Sequence, residues 1–155
     1  MTDAMTDAPL IASSATSAGW AIDASVTMAW FFPDEATPFT ESLLDALGAQ
    51  PLWAPALWVL ECTNVLQSAQ RRRRIEAARR AEIAIELGAL PVRVDHEPLD
   101  FVALDRLAAT HALSAYDAVY LELALRRSLT LVSLDERLIA AANRLGHRVI
   151  NALPV

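Results

Sequence analysis

The chain contains no lysine; all thirteen of its basic residues are arginine. This excludes the Gly-Lys-Ser/Thr loop with which P-loop proteins hold phosphate. It also excludes Schiff-base chemistry on a side-chain amine. Glycine is scarce. Gly19, Gly48, Gly88 and Gly146 are the only four, so no glycine-rich phosphate cradle exists. One cysteine, Cys62, rules out an internal disulfide and fits a reducing compartment. Set in an apolar helical segment, it reads as a small core residue rather than a nucleophile. No apolar run reaches the ~18 residues of a membrane span. Met1 to Ser17 has no basic residue and no apolar centre, unlike a secretory signal. Residues 1–18 read as a flexible tail and 19–155 as a single domain, the number expected from this length.

What is present is apolar and unevenly charged. Hydrophobic residues make up 54% of the 155 residues, enough for a sizeable core. The net charge of −6 argues against a general nucleic-acid coat. Yet Arg71, Arg72, Arg73, Arg74, Arg79 and Arg80 meet only Glu76 within ten residues, a local +5. This run reads either as a solvated helix tip or as a grip on RNA phosphates or an acidic partner. Arg126, Arg127 and Arg137 are secondary candidates. His96, His111 and His147 have no spacing suited to metal or acid–base work and read as structural or surface residues.

Short apolar strands are expected at 20–22, 52–54, 91–94, 129–132 and 147–150. Helices are expected at 25–32, 37–47, 57–72, 75–87, 99–110, 114–126 and 135–145, several closed by Gly or Pro. Short apolar strands separated by helices suit an α/β fold whose parallel sheet is covered on both faces. The helices between 57 and 89 form a hairpin inserted before the third strand. Trp30, Phe31, Phe32, Trp53 and Trp58 read as core, with some left over for a self-association face or a partner groove.

Four acids stand in apolar surroundings: Asp23, Glu61, Asp117 and Asp135. A buried carboxylate without compensation costs several kcal/mol or becomes neutral, on the order of the cost of burying any unpaired charge. Converging carboxylates repel unless a cation holds them, and hard divalent cations such as Mg²⁺ prefer oxygen ligands. The pattern points to metal-dependent phosphoester chemistry. Each acid also has a plainer reading. Asp23 can cap the following helix, Ser114 with Asp117 and Ser133 with Glu136 match capping boxes, and Glu61 can pair with an arginine. In a parallel sheet, sites form at the carboxyl ends of strands, where Asp23 and Asp135 fall.

The segments Ala21-Ile22-Asp23-Ala24-Ser25, Glu61-Cys62-Thr63-Asn64, Ser114-Ala115-Tyr116-Asp117-Ala118 and Leu131-Val132-Ser133-Leu134-Asp135 occur in that order. Together they resemble the PIN-domain family, in particular the VapC-type toxins of bacterial toxin–antitoxin pairs. The resemblance spans about residues 20 to 152. It implies a three-layer α/β/α fold with a central, mostly parallel sheet, and endoribonuclease activity dependent on Mg²⁺ or Mn²⁺. The implied ligands and catalytic residues are Asp23, Glu61, Asp117 and Asp135. Ser133 would orient the last acid or a bound water, and Ser25 and Asn64 would flank the site. The resemblance further implies a cytoplasmic protein that forms a homodimer and is held inactive by a small antitoxin protein. Other readings are a PIN-fold scaffold without activity and a DNA-directed nuclease of similar acidic site.

Overall fold

The structure, a computed structural model, describes residues 18–152. The tail expected over 1–18 thus lies, apart from Ala18, outside the described residues. Five strands, β1 (Trp20–Ile22), β2 (Leu52–Pro55), β3 (Val92–Asp95), β4 (Thr130–Val132) and β5 (Val149–Ile150), form one sheet in the order β3-β2-β1-β4-β5. Every neighbouring pair is parallel, with Trp20 opposite Leu52 on one side and Thr130 on the other. Parallel neighbours need long crossovers. These are supplied by α1 (Ala24–Ala29), α2 (Pro38–Asp45), α3 (Leu57–Arg71), α4 (Ala77–Ala89), α5 (Phe101–His111), α6 (Ala115–Arg126) and α7 (Glu136–Arg144). No helix among the described residues is long and apolar enough to cross a membrane.

The sheet is built outward from β1. The chain adds β2 and β3 on one side, then crosses through α5 and α6 to add β4 and β5 on the other. The direction of winding therefore reverses between β1 and β4. A crevice at the carboxyl ends of the strands is expected at such a reversal. The strands alternate inward and outward with period two. Trp20 and Ile22 face a smaller core with Val26, Phe39 and Leu43. Ala21 and Leu131 face a larger one formed with α3, α4, α6 and α7. These clusters on the sheet give the three-layer α/β/α arrangement.

The expected elements are all present with most ends shifted by one or two residues; α4 runs through Gly88 to Ala89 instead of stopping there, and two further shifts have a clear local cause. α1 ends at Ala29 rather than Phe32, because the N–H groups of Phe31 and Phe32 both fold back onto the Met28 carbonyl ahead of Pro33. β5 begins at Val149 rather than His147. The His147 N–H instead closes α7 on the Ala142 carbonyl, and its Nε2 lies 2.7 Å from the Leu129 carbonyl oxygen. Entry into β1 requires Gly19. Its φ is +132°, and a Cβ there would lie 2.3 Å from the Pro51 carbonyl oxygen that the Trp20 N–H binds.

A buried carboxylate paired with two arginines closes the β3 edge. The Asp95 side chain, at the end of β3, is only 4% exposed and contacts Arg126 at 2.7 Å and Arg127 at 2.6 Å. The Arg127 guanidinium also stacks 4.1 Å from the centre of the Trp53 ring. Burial pushes the Asp95 carboxyl up, but the hydrogen bonds and charges of the two arginines outweigh it, so the group sits below its ordinary value. Its charge therefore stabilises the fold above the unfolded-state pKa, and that contribution fades as pH falls through the lower folded value. Asp95→Asn is expected to lose about 1–2 kcal/mol, less than a fully buried pair because both arginines are partly exposed. Chemical denaturation should find that difference constant from neutral pH down to about pH 5 and shrinking below about pH 4. A difference that grows on acidification contradicts this account.

Candidate acidic site at the switch point of the sheet

Asp23 immediately follows β1 and is 5% exposed. Local sequence explains its position, since it caps α1 by accepting the Val26 N–H at 3.1 Å. The Ser25 hydroxyl donates to the same oxygen, Oδ1, at 2.6 Å. The buried Ser133 hydroxyl, at the end of β4, donates to Oδ2. Behind the backbone, the Thr27 hydroxyl donates to the Asp23 carbonyl at 3.0 Å and accepts the Trp58 indole N–H at 3.0 Å, which ties α3 to this corner. Burial raises the Asp23 pKa. The hydrogen bonds from Ser133, Ser25 and Val26 oppose the rise, and the Asp135 charge adds to it.

Asp135 lies just beyond β4 and caps α7, accepting the Leu138 N–H at 2.9 Å. The capping box expected between Ser133 and Glu136 is thus replaced by a cap from Asp135 itself. Ser133 has a different task from the one its position suggests. Its hydroxyl accepts the Asp135 N–H at 2.9 Å and turns its proton to Asp23. Asp117 sits in the first turn of α6, where the Ser114 hydroxyl caps its N–H at 3.1 Å and contacts its Oδ2 at 2.8 Å.

Glu61 is half-buried, as are Asp117 and Asp135, and lies in the second turn of α3. Among the described residues no arginine pairs with it, contrary to the plainer reading of the sequence. The Tyr120 hydroxyl donates to its Oε2 at 2.5 Å instead. Burial raises the Glu61 pKa, the Tyr120 bond lowers it, and the charges of Asp23 and Asp117 raise it again. Tyr120 is a site residue that the sequence reading missed. Its signal was available: it stands three positions after Asp117, one helical turn along the same face.

Among the described residues, no three acidic, histidine or cysteine side chains converge tightly enough to form a ready cation cage. The four acids nevertheless share one electrostatic neighbourhood, because Asp23 responds to Asp135 and Glu61 responds to Asp23 and Asp117. Each also keeps oxygen capacity free. Among the described residues, Glu61 Oε1, Asp117 Oδ1 and Asp135 Oδ2 receive no hydrogen bond, and Asp23 Oδ2 receives one, from Ser133. An oxygen-only set of mutually repelling carboxylates fits a hard divalent cation. Cys62 fits no such role. It is buried, and its thiol is pushed up to about 12 by burial, then by the charges of Glu61 and Asp23.

Beside the acids a groove of about 710 Å³ runs between α1, α3 and the start of α6. Ser25, Asn64, Glu61 and Tyr116 line it. Asn64 makes no side-chain hydrogen bond among the described residues. The six clustered arginines divide. Arg74 pairs with Asp34 and Glu35 and lies 4.0 Å over the Phe32 ring, Arg79 pairs with Glu82 and Glu86, and Arg80 bonds Gln70. Arg71, Arg72 and Arg73 are exposed at the tip of the α3–α4 hairpin without ion pairs among the described residues. Arg126 and Arg127 are engaged by Asp95, whereas Arg137 is exposed. The aromatic group expected to leave a surface face is largely inside: Phe32 and Trp58 are buried, and Trp30, Phe31 and Trp53 are half-buried against the core.

The PIN domain profile matches residues 21–144. The chain belongs to the PIN domain family. Members of that family are commonly metal-dependent nucleases. Solved structures agree on the fold of this PIN domain. PAE2754 from Pyrobaculum aerophilum is 22% identical with a TM-score of 0.60, the match covering 83% of this chain and 87% of that one. FitAcB from Neisseria gonorrhoeae is 19% identical with a TM-score of 0.60, covering 85% of this chain and 96% of that one. Comparison with curated protein sequences gives no match.

Two substitutions test the electrostatics of this PIN site. Asp23→Asn removes a buried charge but keeps a carbonyl to cap α1, so in chelator it should melt no lower than the wild type. Mn²⁺ should raise the melting temperature of the wild type and not of this variant. Tyr120→Phe removes the donor that holds Glu61, and calorimetry should find Mn²⁺ binding weakened about 10- to 100-fold, as for other groups that orient a metal ligand. Equal Mn²⁺ affinity in wild type and Tyr120→Phe counts against the arrangement.

Proposed function

We propose that the protein is a metal-dependent endoribonuclease, the toxin of a toxin–antitoxin pair acting in the cytoplasm. The observation that supports this most is Asp23. A carboxylate is kept buried at the switch point of the sheet, held by two serines and an amide, within the field of a second acid at the neighbouring strand end. Such a group costs stability unless its negative charge is used. Asp23, Glu61, Asp117 and Asp135 would hold Mg²⁺ or Mn²⁺. When bound, the ion supplies a lowered pKa for the attacking water and neutralises charge on the phosphate oxygens.

The chain's own residues do the positioning. Ser133 and Ser25 fix the orientation of Asp23, and Tyr120 holds Glu61 so that Oε1 remains open. Ser114 does the same for Asp117, and the α7 amide for Asp135. Hydrolysis joins the water oxygen to phosphorus and releases the 3′-oxygen with a proton, leaving a 5′-phosphate and a 3′-hydroxyl. No histidine is required, in keeping with the His147 ring lying against the Leu129 carbonyl oxygen. Arg71, Arg72 and Arg73 supply exposed positive charge for an RNA backbone. Exposed Phe101 and Val102 on α5, a helix without a buried residue, support contact with another chain. In this reading the partner is a small antitoxin protein, with the toxin itself a homodimer.

The test is incubation of purified, partner-free protein with total cellular RNA and with single-stranded DNA, in Mg²⁺ or Mn²⁺ and in chelator. Discrete RNA fragments with 5′-phosphate ends are expected, lost in chelator and reduced at least about 100-fold in Asp23→Asn, the scale of removing a metal-site catalytic group. Cleavage of DNA alone, or cleavage that survives Asp23→Asn, refutes the assignment.

A further inference from the structure

The groove beside the acids is more than a gap. Its wall carries two large apolar side chains that water would not favour, Leu60 at 62% exposed and Tyr116 at 63% exposed. Leu57 and Val65 continue the apolar surface below them, and Asn64 offers a free amide within it. Glu61 lines the same groove, so the apolar wall and the acidic site are continuous. At the other side, Glu35 also lines it, but its charge is answered by Arg74 at 2.8 Å. The groove is therefore apolar along Leu57, Leu60, Val65 and Tyr116 and carries unanswered negative charge only at Glu61, where it meets the carboxylate cluster. A volume of about 710 Å³ lies within the range of sites that take small, mostly apolar ring systems.

Charge farther along the same helix argues for the occupant. Residues 57, 60, 61, 64, 68 and 71 recur at three- and four-residue spacing and so share one side of α3. Glu61 and Arg71 are ten residues apart, which is about 15 Å of helix. A single strand whose scissile phosphate sits at the acids and whose neighbouring phosphates reach Arg71, Arg72 and Arg73 would run along this face. A base on the other side of the scissile phosphate would meet Tyr116 and Leu60, which lie toward the α3 N-terminus from Glu61. Exposed rings beside a basic track are how single-stranded nucleic acids are held, because every base offers a face for stacking. A duplex keeps its bases stacked inside and could not use the slot.

We propose that this groove is a nucleobase subsite: one unpaired base next to the cleaved phosphate stacks on Tyr116 against Leu60, with Asn64 placed to bond its edge. The proposal rests on the ribonuclease reading and adds a subsite to it. It makes the preferred base at that position depend on Asn64.

The experiment uses the full-length chain in chelator, where no cleavage occurs, with a fluorescent single-stranded RNA oligonucleotide, its duplex form, and a set of oligonucleotides each with one abasic position. Binding is read by anisotropy for the wild type, Tyr116→Phe, Tyr116→Ala and Asn64→Ala. Tyr116→Ala should weaken single-strand binding about tenfold and Tyr116→Phe less than about twofold, because the ring and not the hydroxyl stacks. One abasic position should cost the wild type a similar factor and cost Tyr116→Ala little more. In Mn²⁺, Asn64→Ala should cut RNA with a changed preference at that base. Tyr116→Ala that binds as the wild type does, or an abasic penalty that is full in Tyr116→Ala, overturns the subsite and leaves the apolar wall to a protein partner. Failure of the ribonuclease reading looks different. In that case the wild type itself fails to cut RNA in Mn²⁺, whatever stands at position 116.

Discussion

A carboxylate buried between two parallel strand ends governs this corner of the molecule. Asp23 would be expelled or neutralised in an apolar surround unless its oxygens were answered. Ser25 and the Val26 amide, from the same turn, answer Oδ1. Oδ2 depends on Ser133, which comes from 110 residues away. The Ser133 hydroxyl accepts from Asp135 as it donates to Asp23, so the end of β1, the end of β4 and the start of α7 are set by one side chain. The local cap of α1 and the closure of the sheet at its switch point are thus parts of a single hydrogen-bond arrangement.

The second half of the site is mounted on helices rather than strands. Glu61 on α3 is tied by Tyr120 to α6, the helix that also carries Asp117. Burial and the Glu61 charge push the Tyr120 hydroxyl far above its ordinary range, so it remains a hydrogen-bond donor at any physiological pH. Trp58 fixes α3 from the other side through Thr27. Each acid is therefore oriented by an uncharged donor, and none is neutralised by an arginine. The arginines are used elsewhere: Arg126 and Arg127 at Asp95, Arg74 at the acidic turn after α1, and Arg79 and Arg80 within the helical hairpin. That separation leaves the carboxylate field unneutralised and places Arg71, Arg72 and Arg73 about three helical turns from Glu61 at the hairpin tip.

Much of this was legible from the residues alone. Apolar runs three to four residues long, punctuated by Gly and Pro, are enough to fix strands and helices within a few residues, because burial on both faces of a parallel sheet demands uninterrupted apolar side chains. The acids were visible because charge inside such runs is costly. Other features were not legible. The spacing of Ser133 and Glu136 resembled a helix cap, yet Asp135 took that role. The plainer alternative for Glu61 was an arginine partner, yet its partner is a phenol. Five aromatics read mostly as core and are buried or half-buried, whereas the exposed apolar groups, Ile85, Leu60, Tyr116, Phe101 and Val102 among them, carried no signal in the sequence.

The sequence by itself determined the class of fold, the four acids and the absence of lysine- or glycine-based phosphate chemistry, since these follow from composition, periodicity and local caps. Only the tertiary structure decided which donor serves which oxygen, which arginines stay free and where the groove opens. Those outcomes depend on contacts between segments 59 and 110 residues apart, such as Tyr120 with Glu61 and Ser133 with Asp23. A hydrogen bond acts over about 3 Å, and no pattern along the chain specifies a distance of that scale until the parallel sheet has brought its strand ends together.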